Sequence, residues 1–244
     1  MIWLKSQTEE SLDKTFTSVD EAVADIPDGA SIVIGGFFTA GTPYQLIRAL
    51  ARHKAKNLTI IAQSFGPGNE DISQLVLQGQ VKKAICNYPF YRSATRGARA
   101  PFEQTVRSGK VEVEVYPMGT FIEKLRAGGA GLAAFYTPTG VGTVVERGKE
   151  KRAFQGREYL LETALKPDYA LIHAGYGDRM GNLICRKTAR NYAPEMAAAA
   201  RVTIASVEEL VEPGELDPDN IQIPGIYVQR VVEVERLHYI PTIE

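Results

Sequence analysis

Cysteine is nearly absent: Cys86 and Cys185 are the only thiols in 244 residues. Two thiols so far apart imply neither a disulfide framework nor a metal centre, and they fit a reducing compartment. Histidine is almost as scarce. None of His53, His173 and His238 stands at zinc spacing from another His or Cys. An excess of one charge is also missing. The 28 Lys and Arg against 29 Asp and Glu leave a net charge of −1, which gives no footprint for nucleic acid or an anionic membrane. No apolar run reaches the ~18 residues of a spanning helix. The opening MIWLKSQTEESLDK lacks an apolar stretch and carries Glu9, Glu10 and Asp13. Neither a secretory signal nor a transit peptide is expected from it. Residues 1–15 read as a loose leader, and the protein reads as cytoplasmic.

What is present is hydrophobic substance and alternating pattern. Hydrophobic residues make up 44% of the chain, enough to bury a large α/β core without staples. A capping box at Ser18 and Glu21 precedes a short helix ending near Ile26. Strands are expected at Ser31–Ile34, Leu58–Ala62, Val81–Cys86, Val111–Tyr116, Tyr169–Ala174 and Val202–Val207. Helices are expected at Tyr44–His53, Asp71–Leu77, Phe102–Arg107, Thr120–Ala127 and Pro194–Arg201. Lys151–Leu161 reads as a hairpin turning at Gln155-Gly156. Arg126–Gly131, Phe135–Gly142 and Gly214–Ile226 read as loops. This alternation argues a doubly wound, mostly parallel sheet in one domain over residues 1–244.

The most telling stretch is Asp28–Pro43, DGASIVIGGFFTAGTP. It reads as a short buried strand, a tight turn through Gly35, Gly36 and Gly41, and a helix start. Thr42, Pro43 and Gln45 suggest an N-cap, N1 and N3. Free backbone N–H groups would then lie at a strand's carboxyl end beside a helix N-terminus, a place suited to an anion or a developing oxyanion. The Gly36–Gly41 spacing continues with Thr42-Pro43, where a P-loop needs Lys and Ser or Thr, so triphosphate hydrolysis is not expected. Loops at Gly35–Gly41, Gln63–Gly68, Pro117–Gly119 and Phe135–Gly142 are expected to gather at one edge of the sheet. Such a site has donors and no obvious nucleophile.

Other motifs carry blander readings. Gly175–Gly181 resembles a dinucleotide fingerprint, but Met180 replaces the third glycine. A tight turn with Asp178 and Asn182 is the better reading. His173 lies in an apolar strand and reads as a core or rim histidine; no G-x-S-x-G elbow supports a triad. Glu112 and Glu114 share a solvated strand face. Glu146, after a glycine-rich loop, is a nucleophile candidate.

From about Phe16 to about Val232 the chain resembles the α subunit of family I coenzyme A transferases, of the 3-oxoacid or 3-oxoadipate type. DGASIVIGGFFTAGTP resembles the family's first signature. RAGGAG at Arg126, FYTPTGVGT at Phe135, GDRMGNLICRKTARN at Gly177 and GELDPDNIQIPGIYVQRVV at Gly214 are similar to later blocks. The resemblance implies a NagB/RpiA/CoA-transferase-like α/β fold and ping-pong transfer of CoA from an acyl-CoA to a carboxylate. It implies a nucleophilic glutamate on a partner β subunit, through an acyl-glutamyl anhydride and a glutamyl-CoA thioester. It further implies a dimer of αβ pairs, CoA as substrate, no tightly bound cofactor and no metal. No catalytic residue is then expected in this chain, and Glu146 becomes a decoy. Gly35, Gly36, Phe37 and Gly41 would face the partner's glutamate. Gln63, Met118 and Gly119 would contact the acyl group or oxyanion. Two departures stand out. Pro117-Met118-Gly119 stands where relatives have P-Q-G, and Gln63-Ser64-Phe65-Gly66 where they have N-N-A-G. Asn87–Pro101 is also atypical. Met118 motivates an alternative, hydrolysis of a CoA thioester or ring ketone. A non-catalytic binding or assembly protein of the same architecture is a third reading.

Overall fold

A computed structural model describes residues 13–66, 72–89 and 100–237. Eleven strands are described, β1 to β11: Ser31–Ile34, Leu58–Ala62, Val81–Cys86, Glu112–Val115, Ala134–Thr137, Lys151–Phe154, Arg157–Thr163, Tyr169–Asp178, Leu183–Ile184, Val202–Val211 and Arg230–Glu233. Six described helices, α1 to α6, span Val19–Val23, Tyr44–His53, Ser73–Leu77, Pro101–Arg107, Met118–Gly129 and Ala193–Ala199. The main sheet runs β11-β10-β8-β1-β2-β3-β4 with every neighbour parallel, and β9 adds antiparallel to β8. β5, β7 and β6 form a separate antiparallel sheet.

Parallel strands buried on both faces need apolar residues at successive positions. Ile32 and Ile34 of β1 enter one core with Leu46, Leu50, Ile60 and Phe102. Val33 between them points to the opposite core with Ile61, Phe121, Leu125 and Met196. Helices α1 to α4 cover the first face, and α5 and α6 the second. After β1 the chain builds outward through β2, β3 and β4; it later returns to lay β8 and β10 on the other side of β1. The gap between β1 and β8 is therefore the topological switch point, the place where open sheets part at their carboxyl edge.

Several boundaries differ from the sequence expectation, each for a packing reason. β8 and β10 run on to Asp178 and Val211. Gly175 and Gly177 are drawn into strand by pairing with the flanking strands, and glycine is required there because a Cβ would stand 2.5 and 2.7 Å from the Arg186 and Val207 side chains. α5 starts at Met118, with Pro117 as N-cap, and runs through Gly128 and Gly129. At those two positions α5 closes against the Leu165 carbonyl and Ala198. Residues 135–137, the start of a stretch read as loop, join Ala134 in pairing with β7, since Phe-Tyr-Thr suits a pleated surface. The hairpin turns as expected, with Gln155 and Gly156 both at positive φ. α3 begins at Ser73. Asp71, the 67–68 end of the second expected loop and the 90–99 part of the atypical stretch lie outside the described residues, as do His238 and residues 1–12. No described helix is long and apolar enough to cross a membrane.

Candidate active site at the carboxyl edge of the sheet

The Gly35–Gly41 turn fills the switch point. The Gly35 N–H continues the sheet to the Leu171 carbonyl at 2.8 Å. Phe37 and Ala40 then exchange both backbone hydrogen bonds, at 3.0 and 3.1 Å, closing a tight hairpin. Three of the N–H groups expected to be open are thus used inside the protein. The turn survives only with glycine at two places. A Cβ on Gly36 would meet Thr42 Oγ1 at 2.2 Å, and one on Gly41 would meet the Ala189 carbonyl at 2.3 Å; both have positive φ. The Asn191 amide donates to the Ala40 carbonyl, and the Tyr192 hydroxyl donates to that of Gly36. At the tip, Phe37 and Phe38 meet edge to face at 5.0 Å and are 41% and 54% exposed.

The expected cap at Thr42 is not formed. Its hydroxyl bends back to the Phe38 carbonyl at 3.0 Å, Pro43 takes the N-cap position without a side-chain bond, and Gln45 reaches the Glu235 carbonyl. Thr42 closes the turn instead of opening the helix.

The neighbouring strand ends form a continuous run. Gln63, just past β2, accepts at its carbonyl from the N–H groups of Asn87 and Tyr88. Asn87, just past β3, donates through Nδ2 to the Tyr116 carbonyl at 3.1 Å. Tyr116 leads into Pro117 and the first turn of α5. Gln63 and Thr120 are buried, and Gln63 Oε1, Asn87 Oδ1 and Thr120 Oγ1 have no hydrogen-bond partner among the described residues. Buried polar atoms are nearly always paired, so these three, of the seven such atoms among the described residues, are candidates for contact with a ligand or a partner. Gly119, in the same helical turn, has open space where a side chain would be. Met118 packs partly against the second core and brings no polar donor.

The structure thus gathers Gly35, Gly36, Phe37, Gly41, Gln63, Met118 and Gly119 along one edge. The fourth expected loop is not part of it by strand order, because Phe135–Gly142 begins in β5 of the small sheet. Asn87 and Thr120 were missed. The position of Asn87, directly after a strand like Gln63, was the available signal. Thr120 gave none, because hydroxyls in a first helical turn are common.

Charged side chains near this run are tied down. Lys83 pairs with Glu112 at 3.0 Å and Glu114 at 2.9 Å, so that face is ion-paired and not merely solvated. Tyr116 bonds to Glu114. Burial and then Glu114 push its phenol well above the usual range. Lys124 of α5 and Glu162 of β7 form a buried pair at 3.2 Å, joined by Lys149 at 2.5 Å. Burial drives the Lys124 ammonium below its ordinary value. This group clamps the small sheet onto α5.

The remaining candidates do structural work. Burial pushes the Cys86 thiol up to about 12, so it is no nucleophile at neutral pH. Glu146 accepts from the Gly142 N–H at 2.7 Å and pairs with Lys151 at 3.0 Å, which holds it ionised as a loop closer. His173 Nδ1 meets Ser206 Oγ at 3.0 Å and its Nε2 lies 3.5 Å from Glu208. Ser206 is fully buried, so this serine–histidine–glutamate row has no access to a substrate. Burial pushes the Glu208 carboxyl up, but Arg186 and His173 outweigh it and hold it below the ordinary range. Asp178 Oδ1 accepts from the Met180 and Asn182 N–H groups, the turn expected for Gly175–Gly181.

A family profile described as coenzyme A transferase matches residues 16–234. The chain is 47% identical over 224 residues to the A-type chain of the 3-oxoadipate CoA-transferase of Acinetobacter baylyi, covering 92% of this chain and 96% of that protein. It is 43% identical to the A-type chain of the succinyl-CoA:3-ketoacid coenzyme A transferase of Helicobacter pylori, covering 92% and 94%. Among solved structures it is similar to an acyl-CoA transferase of Escherichia coli O157:H7 in a thioester complex with CoA. That likeness has a TM-score of 0.80 and 25% identity over 93% of this chain, and the chain spans 48% of the Escherichia coli protein's length.

Proposed function

The chain belongs to the coenzyme A transferase family, and from that premise we propose that it is the α subunit of a heteromeric enzyme. The reaction moves CoA from an acyl-CoA to a short 3-oxo or related carboxylic acid. The observation that carries this reading is an edge whose buried polar atoms have no partner among the described residues, with an open helix start, a nearby carboxylate, Glu114, that is ion-paired and a thiol, Cys86, that is buried. Such an edge is half of a site. The other half is a glutamate from the β subunit.

That glutamate's carboxylate attacks the thioester carbon and expels the CoA thiolate, leaving an anhydride. The thiolate attacks the glutamyl carbonyl and releases the acid, and the second acid reverses both steps. Each attack develops negative charge on the carbonyl oxygen. On this chain, the start of α5 serves that oxygen. Its backbone N–H groups and the positive end of a 12-residue helix favour developing negative charge, and the absent side chain of Gly119 lets the substrate approach. Met118 supplies bulk and no donor. Gln63 contacts the acyl group. Gly35, Gly36, Phe37 and Gly41 form the wall facing the partner's glutamate.

The names carried by the relatives are those of transferases, which favours transfer over the hydrolytic and purely structural readings. CoA is a substrate, and the assembly is a dimer of αβ pairs acting in the cytoplasm. The test is co-expression with the product of the neighbouring open reading frame, followed by an assay of CoA exchange between acyl-CoA and a 3-oxo acid. Exchange that needs both chains is the expected result. Exchange by this chain alone, or release of free acid without an acceptor, would overturn the proposal.

A further inference from the structure

Asn87 is a pinned acceptor. The Tyr116 carbonyl can only accept a hydrogen bond, so the Asn87 amide must turn its NH2 toward it, at 3.1 Å. Its Oδ1 is thereby fixed on the other side, buried and without a partner among the described residues. Gln63 Oε1, one strand along, is a second buried oxygen in the same condition. A buried carbonyl oxygen left unpaired is costly, so the site gains when a ligand brings an N–H or O–H to it.

The proposed reactants narrow the choice. An ionised carboxylic acid, a 3-oxo group and an acyl thioester present acceptor oxygens only, and none can satisfy Asn87 Oδ1. The pantetheine arm of CoA carries two amide N–H groups close to the sulfur. Resting on the CoA-transfer reading above, we propose that Asn87 accepts a hydrogen bond from an amide N–H of the pantetheine arm. Asn87 is then a specificity residue for the thiol half of the substrate, beside the start of α5 that serves the acyl half. The bond places the thioester sulfur relative to that helix start, because Asn87 is itself held by the residue preceding Pro117.

The experiment uses the co-expressed complex and measures thiol release from two substrates with the same acyl group, the CoA thioester and the S-ethyl thioester. Their ratio of kcat/KM isolates the arm. Asn87→Leu is expected to lower that ratio about fivefold to tenfold, the loss of one hydrogen bond to a buried group, over and above any uniform fall that losing the anchor at Tyr116 brings to both substrates. Should Asn87→Leu fail to assemble, the smaller Asn87→Ser carries the same comparison. An equal fall for both substrates means that Asn87 only anchors Tyr116. No fall for either means that a bound water or the partner chain supplies the donor. Either result overturns the inference while leaving the transferase reading intact. A wild-type complex that transfers no CoA overturns that reading first, and the inference with it.

Discussion

The Tyr192 phenol donates a 2.8 Å hydrogen bond to the Gly36 carbonyl across 156 residues of sequence. It joins the residue before α6 to the turn at the switch point. Tyr192→Phe removes that bond and keeps the buried ring. The expected cost is about 1 kcal/mol, a fall in Tm of roughly 2–4 °C. Activity of the complex should fall more than this suggests, because the loosened turn is the proposed wall of the site. Thermal unfolding and steady-state kinetics on the same preparation check it.

Gly41→Ala is expected to be far worse. The new methyl group would meet the Ala189 carbonyl at 2.3 Å from a backbone with φ of +74°, and neither the carbonyl nor the turn can move without the other. A loss of about 3 kcal/mol is expected, with activity lost at temperatures where the protein is still folded. A variant as stable as wild type would show that the turn can relax.

Lys124 and Glu162 are each 2% exposed at the side chain. Lys124→Met should destabilise by about 2–3 kcal/mol, less than for a lone buried pair because Lys149 also holds Glu162. Adding Glu162→Leu should restore part of that loss. The sum of the single effects should exceed the double by about 1 kcal/mol or more, as read from denaturant unfolding of all three variants.

His173 is held below its ordinary value by burial, against the pull of Glu208 and with Arg186 adding to the shift. The unfolded chain therefore takes up a proton at a higher pH than the folded one. The stability this histidine contributes is complete above the ordinary histidine range and is lost as the pH falls through it. His173→Asn should flatten the dependence of Tm on pH on the acid side of neutrality. An unchanged slope would place the acid sensitivity elsewhere.

Phe37 and Phe38 are about half exposed at the tip of the turn, so Phe37→Ser with Phe38→Ser should lower the isolated chain's Tm only slightly. Association with the β subunit should weaken by at least about tenfold, as expected for aromatic anchors at an interface. Analytical ultracentrifugation of the mixed subunits gives the answer, and equal affinity would remove these two residues from the interface.

Much of the scaffold was legible beforehand. β1, α2, β2 and β3 fall at Ser31–Ile34, Tyr44–His53, Leu58–Ala62 and Val81–Cys86, because apolar runs bounded by Gly, Pro and Asn punctuation determine local structure. The signal failed where partners outside the segment decided the outcome. Gly175 and Gly177 read as turn residues, yet they are strand because β9 and β10 flank them. Thr42 read as a cap, yet the turn beside it claimed its hydroxyl. Phe135 to Thr137 read as loop until β7 supplied the missing edge.

By itself the sequence determined the alternation of strand and helix, the glycine turn, the absence of a P-loop lysine and the family resemblance. All of these rest on residue type and short spacing, which act locally. Only the tertiary structure decided that β1 and β8 part at the switch point, that Tyr192 holds Gly36, and that Asn87 is pinned with an oxygen left over. Those facts depend on strand order and on hydrogen bonds between distant segments, and a single buried carbonyl at Tyr116 chose which way the Asn87 amide faces.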